Sequence, residues 1–95
     1  MKLSYRYIED HGMFYINLIN EGGENYAIRD YFVALYLGLT KSDYQNILLK
    51  HGAFYAPPNL GLLMDECHFE NKEDLERAIE ELEPYLVMAA LTNAN

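Results

Sequence analysis

Apolar and polar residues alternate at the start of the chain. Leu3, Tyr5 and Tyr7 fall on one side of residues 2–8, and Lys2, Ser4 and Arg6 on the other, the period-two pattern of a half-buried strand. Glu9-Asp10-His11-Gly12 supplies a turn. Residues 13–19, dense in aromatic and β-branched types, predict a second strand paired with the first as a hairpin. Residues 20–25, with Gly22 and Gly23 at their centre, predict a loop.

From about Tyr26 the period lengthens. Ile28, Phe32, Leu35 and Leu39 recur at helical spacing with Arg29 and Asp30 directed away from them, and Gly38 is placed to end the helix. Thr40 followed by Asp43 has the form of a capping box, and Tyr44, Ile47, Leu48 and His51 carry a second helix to Gly52. Ala53-Phe54-Tyr55-Ala56 reads as extended, Pro57-Pro58-Asn59 as a break, and residues 62–70 as a returning strand, which together make a second hairpin. Asn71 then caps a last helix with Leu75, Ala78, Ile79, Leu82, Leu86 and Ala89 as its apolar stripe and Glu73–Arg77 as an i,i+4 pair. Pro84 is expected to kink or divide that helix, because proline has no amide to give to the helical ladder. The whole reads as one α+β domain over residues 1–95. A small, mostly antiparallel sheet, from the N-terminal hairpin and the second hairpin, packs with a helical hairpin and a C-terminal acidic helix.

Composition supports one packed domain, since 51% of the 95 residues are hydrophobic and 23% charged. Charge adds an asymmetry. Residues 1–50 hold 5 Lys/Arg against 6 Asp/Glu, and residues 51–95 hold 2 against 9, so nearly all of the net −8 lies in the second half. That half repels nucleic acid, whose binding depends on cations displacing counterions from phosphates, and its expected partner is basic. Cys67 is the one cysteine and has no disulfide or C-x-x-C partner, which points to a reducing, cytoplasmic setting. The charged N-terminus lacks the apolar run of a signal peptide, and no stretch approaches the roughly 20 apolar residues of a membrane span.

One segment carries a specific resemblance. Val33, Ala34, Leu37, Gly38, Leu39, Tyr44 and Ile47, within residues 30–49, are similar to the helix-turn-helix pattern, in which a small residue, a glycine and flanking apolar residues lock a second helix across the first. The resemblance implies that Lys41, Ser42, Gln45, Asn46 and Lys50 face outward from a recognition helix, where Gln and Asn can grip adenine edges. Any tight helical corner calls for the same residues, however, and residues 26–52 carry only Arg29, Lys41 and Lys50 against Asp30 and Asp43. A packing motif is therefore the favoured reading, with a DNA-binding regulator as the alternative.

Catalytic and metal readings find less. His11, His51, Cys67 and His68 are scattered, and Cys67 and His68, adjacent on a strand, point to opposite faces. Asp65, Glu66 and Glu70 read as a solvated edge-strand face, with no nucleophile or phosphate-binding glycine loop nearby, and Gly22-Gly23 as a turn. No cofactor, metal site or catalytic residue is assigned. Of the nine tyrosines, Tyr5, Tyr7, Tyr15, Tyr31 and Tyr44 are placed in the core, while Tyr26, Tyr36, Tyr55 and Tyr85 fit core and interface equally.

The expected function is that of a small non-enzymatic interaction protein, a regulator or inhibitor that presents an acidic helix to a basic partner. In size and composition alone, the chain is similar to phage and mobile-element accessory proteins. Glu73, Glu76, Glu80 and Glu83 recur at helical spacing as the candidate partner-binding ridge. Residues 86–91, apolar almost all round, suggest a homodimer.

Overall fold

The computed structural model describes residues 1–56 and 66–93. Strands β1 (Lys2–Ile8) and β2 (Met13–Ile19) form the expected hairpin, antiparallel from Lys2↔Ile19 to Ile8↔Met13. A short third strand, β3 (Asn25–Ala27), then pairs with the other edge of β2 through Leu18↔Ala27 and Ile19↔Asn25. The expected helix starting near Tyr26 is thus corrected: Tyr26 and Ala27 belong to the sheet, and α1 spans Asp30–Tyr36.

Helix α2 (Lys41–Lys50) follows, its N-terminus capped by the Thr40 hydroxyl, which accepts from the Asp43 amide at 3.0 Å. Between the helices Gly38 takes φ +75, and a Cβ there would meet nothing within 4 Å. The cost of a side chain is therefore conformational alone. Gly38→Val is expected to lower stability by about 1–2 kcal/mol, because an L side chain in the left-handed region clashes with its own backbone. A thermal melt matching the parent would rule out this turn.

The second hairpin is present as β4 (Phe54–Tyr55) and β5 (Cys67–His68), antiparallel through Phe54↔His68 and Tyr55↔Cys67. The expected break at Pro57-Pro58-Asn59 and the strand over residues 62–65 lie outside the described residues. Phe69 stitches this hairpin to the larger sheet, exchanging backbone hydrogen bonds of 2.8 Å in both directions with Phe14.

Helix α3 (Lys72–Asn93) closes the fold. The Asn71 carbonyl accepts from the Leu75 amide at 3.2 Å, which places Asn71 at the helix entry, while its side-chain Nδ2 donates to Asp74 Oδ2 at 3.3 Å. Pro84 lies inside α3 and does not divide it, so of the two expected effects division is excluded. The ring is exposed on the outer side, where water can satisfy the carbonyl one turn back that proline leaves unbonded. Arg77 pairs with Asp74 one turn earlier, in place of the expected Glu73. Leu75, Ala78, Leu82 and Leu86 are buried with Leu3, Ile16 and Leu18 from the sheet, Val33, Ala34 and Leu37 from α1, Tyr44 and Leu48 from α2, and Phe69.

The inward face of α1 is the largest correction. Asp30, Val33, Ala34 and Leu37, spaced i, i+3, i+4 and i+7, point to the core, and the expected stripe of Ile28, Phe32 and Leu35 is exposed. Two stripes of helical period run along this segment, and the bonding of Asp30 decides between them. Of the tyrosines placed in the core only Tyr44 is fully buried. Tyr5, Tyr7 and Tyr31 are exposed and Tyr15 is half-buried, because their phenolic ends reach water from the sheet rim and the outer side of α1.

Candidate functional site

Three features of the fold bear on chemistry: a buried acid pair, the outer surface of α3, and an apolar face over β3 and α1. The acid pair lies where α1, α2 and β5 meet. Glu66, expected on a solvated edge, is buried instead, because its Oε2 accepts the Asp30 amide at 2.6 Å and so caps α1 from 36 residues away, while Oε1 lies 3.4 Å from Arg29 Nε. Glu70 is exposed as expected, and Asp65 lies outside the described residues. The Asp30 Oδ2 accepts from Gln45 Nε2 and from the Cys67 amide, each at 2.8 Å.

Burial pushes the Asp30 carboxyl up from 3.8 to about 7, and the nearby Glu66 carboxylate adds to this, while the bonds from Gln45 and Cys67 oppose it. Burial raises the Cys67 thiol to about 12 and holds the His68 imidazole below its usual value, so at neutral pH the thiol is protonated and the ring uncharged. The Tyr44 hydroxyl is buried nearby, with no hydrogen-bond partner among the described residues. A carboxyl near 7 is suited to proton transfer, yet neither Asp30 nor Glu66 lines the depressions described below. The arrangement holds three elements together. Among the described residues no three His, Cys, Asp or Glu side chains gather as a metal site.

The helical corner presents less to solvent than its resemblance implies. Ser42, Asn46 and Lys50 are exposed and Lys41 is half-buried, but Gln45 is turned inward, a correction whose cause is its hydrogen bond to buried Asp30. Lys50 Nζ lies 2.6 Å from Glu81 Oε2, and His51 Nε2 lies 2.8 Å from Oε1 of the same carboxylate. Those two partners hold the Glu81 carboxyl below its ordinary range. An acid from α3 thus sits against one of the few cations a phosphate could meet.

The chain matches no known protein family, no curated protein and no solved structure. Function is read from its surfaces.

On α3 the four ridge residues Glu73, Glu76, Glu80 and Glu83 are all exposed, opposite the buried stripe. At about 100° per residue they share one side of the helix, and Val87 and Leu91 continue it toward the C-terminus as an apolar end. Where α3 passes β1, Glu76 and Glu80 share a depression of about 410 Å³ with Lys2, Lys72 and Tyr5. The Lys72 ammonium stands 5.4 Å over the Tyr5 ring, so the upper edge of the ridge carries some cationic character. No described helix is long and apolar enough to cross a membrane.

The third feature is not anticipated by the local pattern, which turns Ile28, Phe32 and Leu35 inward. Tyr26, Ile28, Arg29, Phe32, Leu35 and Tyr36 line a concavity of about 630 Å³, and Leu35 and Tyr36 continue into a second, of about 410 Å³, with Tyr85, Met88 and Ala89 of α3. One apolar groove therefore crosses from β3 over α1 to the last turns of α3, with Arg29 its charged member. The signal was present: the stripe of Ile28, Phe32 and Leu35 competes with that of Asp30, Val33 and Leu37, and the larger side chains belong to the outer one.

Proposed function

We propose that this chain is a non-enzymatic interaction protein that docks the acidic ridge of α3 on a basic protein surface. The supporting observation is the separation of faces on α3. Leu75, Ala78, Leu82 and Leu86 supply the packing, and Glu73, Glu76, Glu80 and Glu83 stand free of the core in water. A rigid helix holding carboxylates about one turn apart offers a regular array to Lys and Arg, and the net charge of −8 speeds its encounter with a cationic partner at low salt. The regulator or inhibitor role, with its likeness to phage and mobile-element accessory proteins, belongs to this same reading, as does a cytoplasmic site of action. Nothing in the exposed set at the corner favours DNA over protein, since Gln45 is committed to Asp30 and Lys50 to Glu81.

The test replaces Glu76, Glu80 and Glu83 together with Gln, which removes three charges and keeps length and helix propensity. A protein recovered with the parent from a lysate at low salt is expected to bind the triple variant about tenfold more weakly, with a shallower salt dependence, as loss of three rim charges implies. Equal binding by parent and variant across a salt titration would reject the ridge as the docking element. Recovery of a duplex DNA fragment in place of protein would reject the reading in favour of the corner.

A further inference from the structure

We propose that the apolar groove over β3, α1 and the end of α3 is the interface of a homodimer, formed by a second copy of this chain about a two-fold axis. This surface is separate from the acidic ridge. Its principal side chains are large and open to solvent: Tyr26 is 58% exposed, Ile28 48%, Phe32 53%, Leu35 62% and Met88 62%, with Tyr31 and Tyr85 beside them.

Area favours a protein-sized cover. A large side chain presents on the order of 200 Å² when fully exposed, so seven of them at about half exposure offer roughly 700 Å². That exceeds the ~300–600 Å² of the largest apolar patch on an ordinary monomer and approaches the ~800 Å² that each partner of a stable complex covers.

Shape favours a second copy. A two-fold interface must be complementary to itself, presenting a ridge and a receiving groove on the same patch. Here Leu35, 62% exposed, and Tyr36 line both concavities and so stand between them as a ridge, with Ile28 and Phe32 in the hollow on one side and Tyr85 and Met88 in the hollow on the other. Antiparallel approach of two α1 helices seats each ridge in the groove of the other copy.

Charge is compatible with self-association. Two copies bring together a net charge of −8 each, but the groove contains no carboxylate, and its Arg29 is already beside Glu66. The repulsion comes from acids outside the contact, at distances over which salt screens it. Dimerisation therefore tightens as salt rises, opposite in sign to docking of the ridge on a basic partner, so the two readings fail separately. The apolar run over residues 86–91, the expected dimer contact, is divided between faces. In the fold Leu86 is buried in the core, Val87 and Leu91 extend the acidic side, and Met88 belongs to the groove.

Sedimentation equilibrium of the full chain from about 1 to 200 µM, in 50 and 500 mM NaCl, tests the proposal. The expected result is twice the 11.0 kDa mass of the chain, with a dissociation constant of about 1–10 µM for an interface of this size that falls severalfold at the higher salt. Phe32→Glu buries one new charge per copy at the centre of the contact and should weaken dimerisation at least about thirtyfold; Met88→Lys tests the α3 side of the groove in the same way. Both positions are exposed, so circular dichroism of the diluted variants should match the parent. The Gln variant of Glu76, Glu80 and Glu83 should dimerise at least as tightly as the parent. A strict monomer at 200 µM in 500 mM NaCl, whether or not it captures some other protein, overturns the proposal. So does a dimer that both Phe32→Glu and Met88→Lys leave as tight as the parent.

Discussion

Asp30→Asn is expected to raise stability at pH 8 by about 1–3 kcal/mol, to change it little near pH 4, and to remove most of the pH dependence between those limits. The Asp30 carboxyl rises from 3.8 to about 7 on folding, chiefly through burial. A group whose folded value is raised holds its proton more tightly in the native state, so its contribution to stability is complete below about pH 4 and is lost as pH climbs through 7. Asparagine resembles the protonated acid. Its carbonyl oxygen can accept from Gln45 Nε2 and the Cys67 amide as Oδ2 does now, and its NH2 can donate to Glu66. His68 acts in the opposite direction, since its lowered value costs stability as pH falls below 6.5, and Glu81 loses its contribution below 4.5. Both groups are common to parent and variant and cancel in the difference. Urea unfolding of the two proteins at pH 4, 6 and 8 measures the effect. Parallel pH profiles would mean that Asp30 is ionised throughout this range.

Phe69→Ala is expected to cost about 3–5 kcal/mol, a large part of the stability of a domain this size. The ring is fully buried in the main core, and its backbone carries the two 2.8 Å bonds that attach the β4–β5 hairpin to Phe14 of β2. Removing the ring leaves a cavity where sheet and helices meet. Phe69→Leu retains much of the volume and should cost only about 1–2 kcal/mol. Chemical unfolding of both variants separates ring packing from the backbone bridge, which either residue can make. Equal, small losses would place the hairpin's attachment in its hydrogen bonds.

Much of the architecture was legible locally. The alternation over Lys2–Ile8, the turn ending at Gly12 and the β-rich run Met13–Ile19 specify a hairpin because strand period and turn chemistry agree within a few residues. Gly38 ends α1, and Thr40 and Gly52 place the ends of α2, for the same reason, since capping and left-handed turns depend on residues next to one another. The acidic ridge was legible too: four glutamates at helical spacing face away from a strong apolar stripe whatever that stripe packs against.

The facing of α1 was decided only by tertiary structure. Residues 26–39 contain two apolar stripes, and the local period favours the one with the larger side chains. The other is buried because Asp30 is held by Gln45, fifteen residues on, and by the Cys67 amide and Glu66, more than thirty residues on. No local pattern encodes such a long-range polar knot. A buried Asp and Glu look, in sequence, like any solvated pair, and only the assembled core shows their donors. That knot turns Ile28, Phe32 and Leu35 outward, so the dimer surface proposed for this chain follows from a choice that local sequence leaves open and three distant polar contacts make.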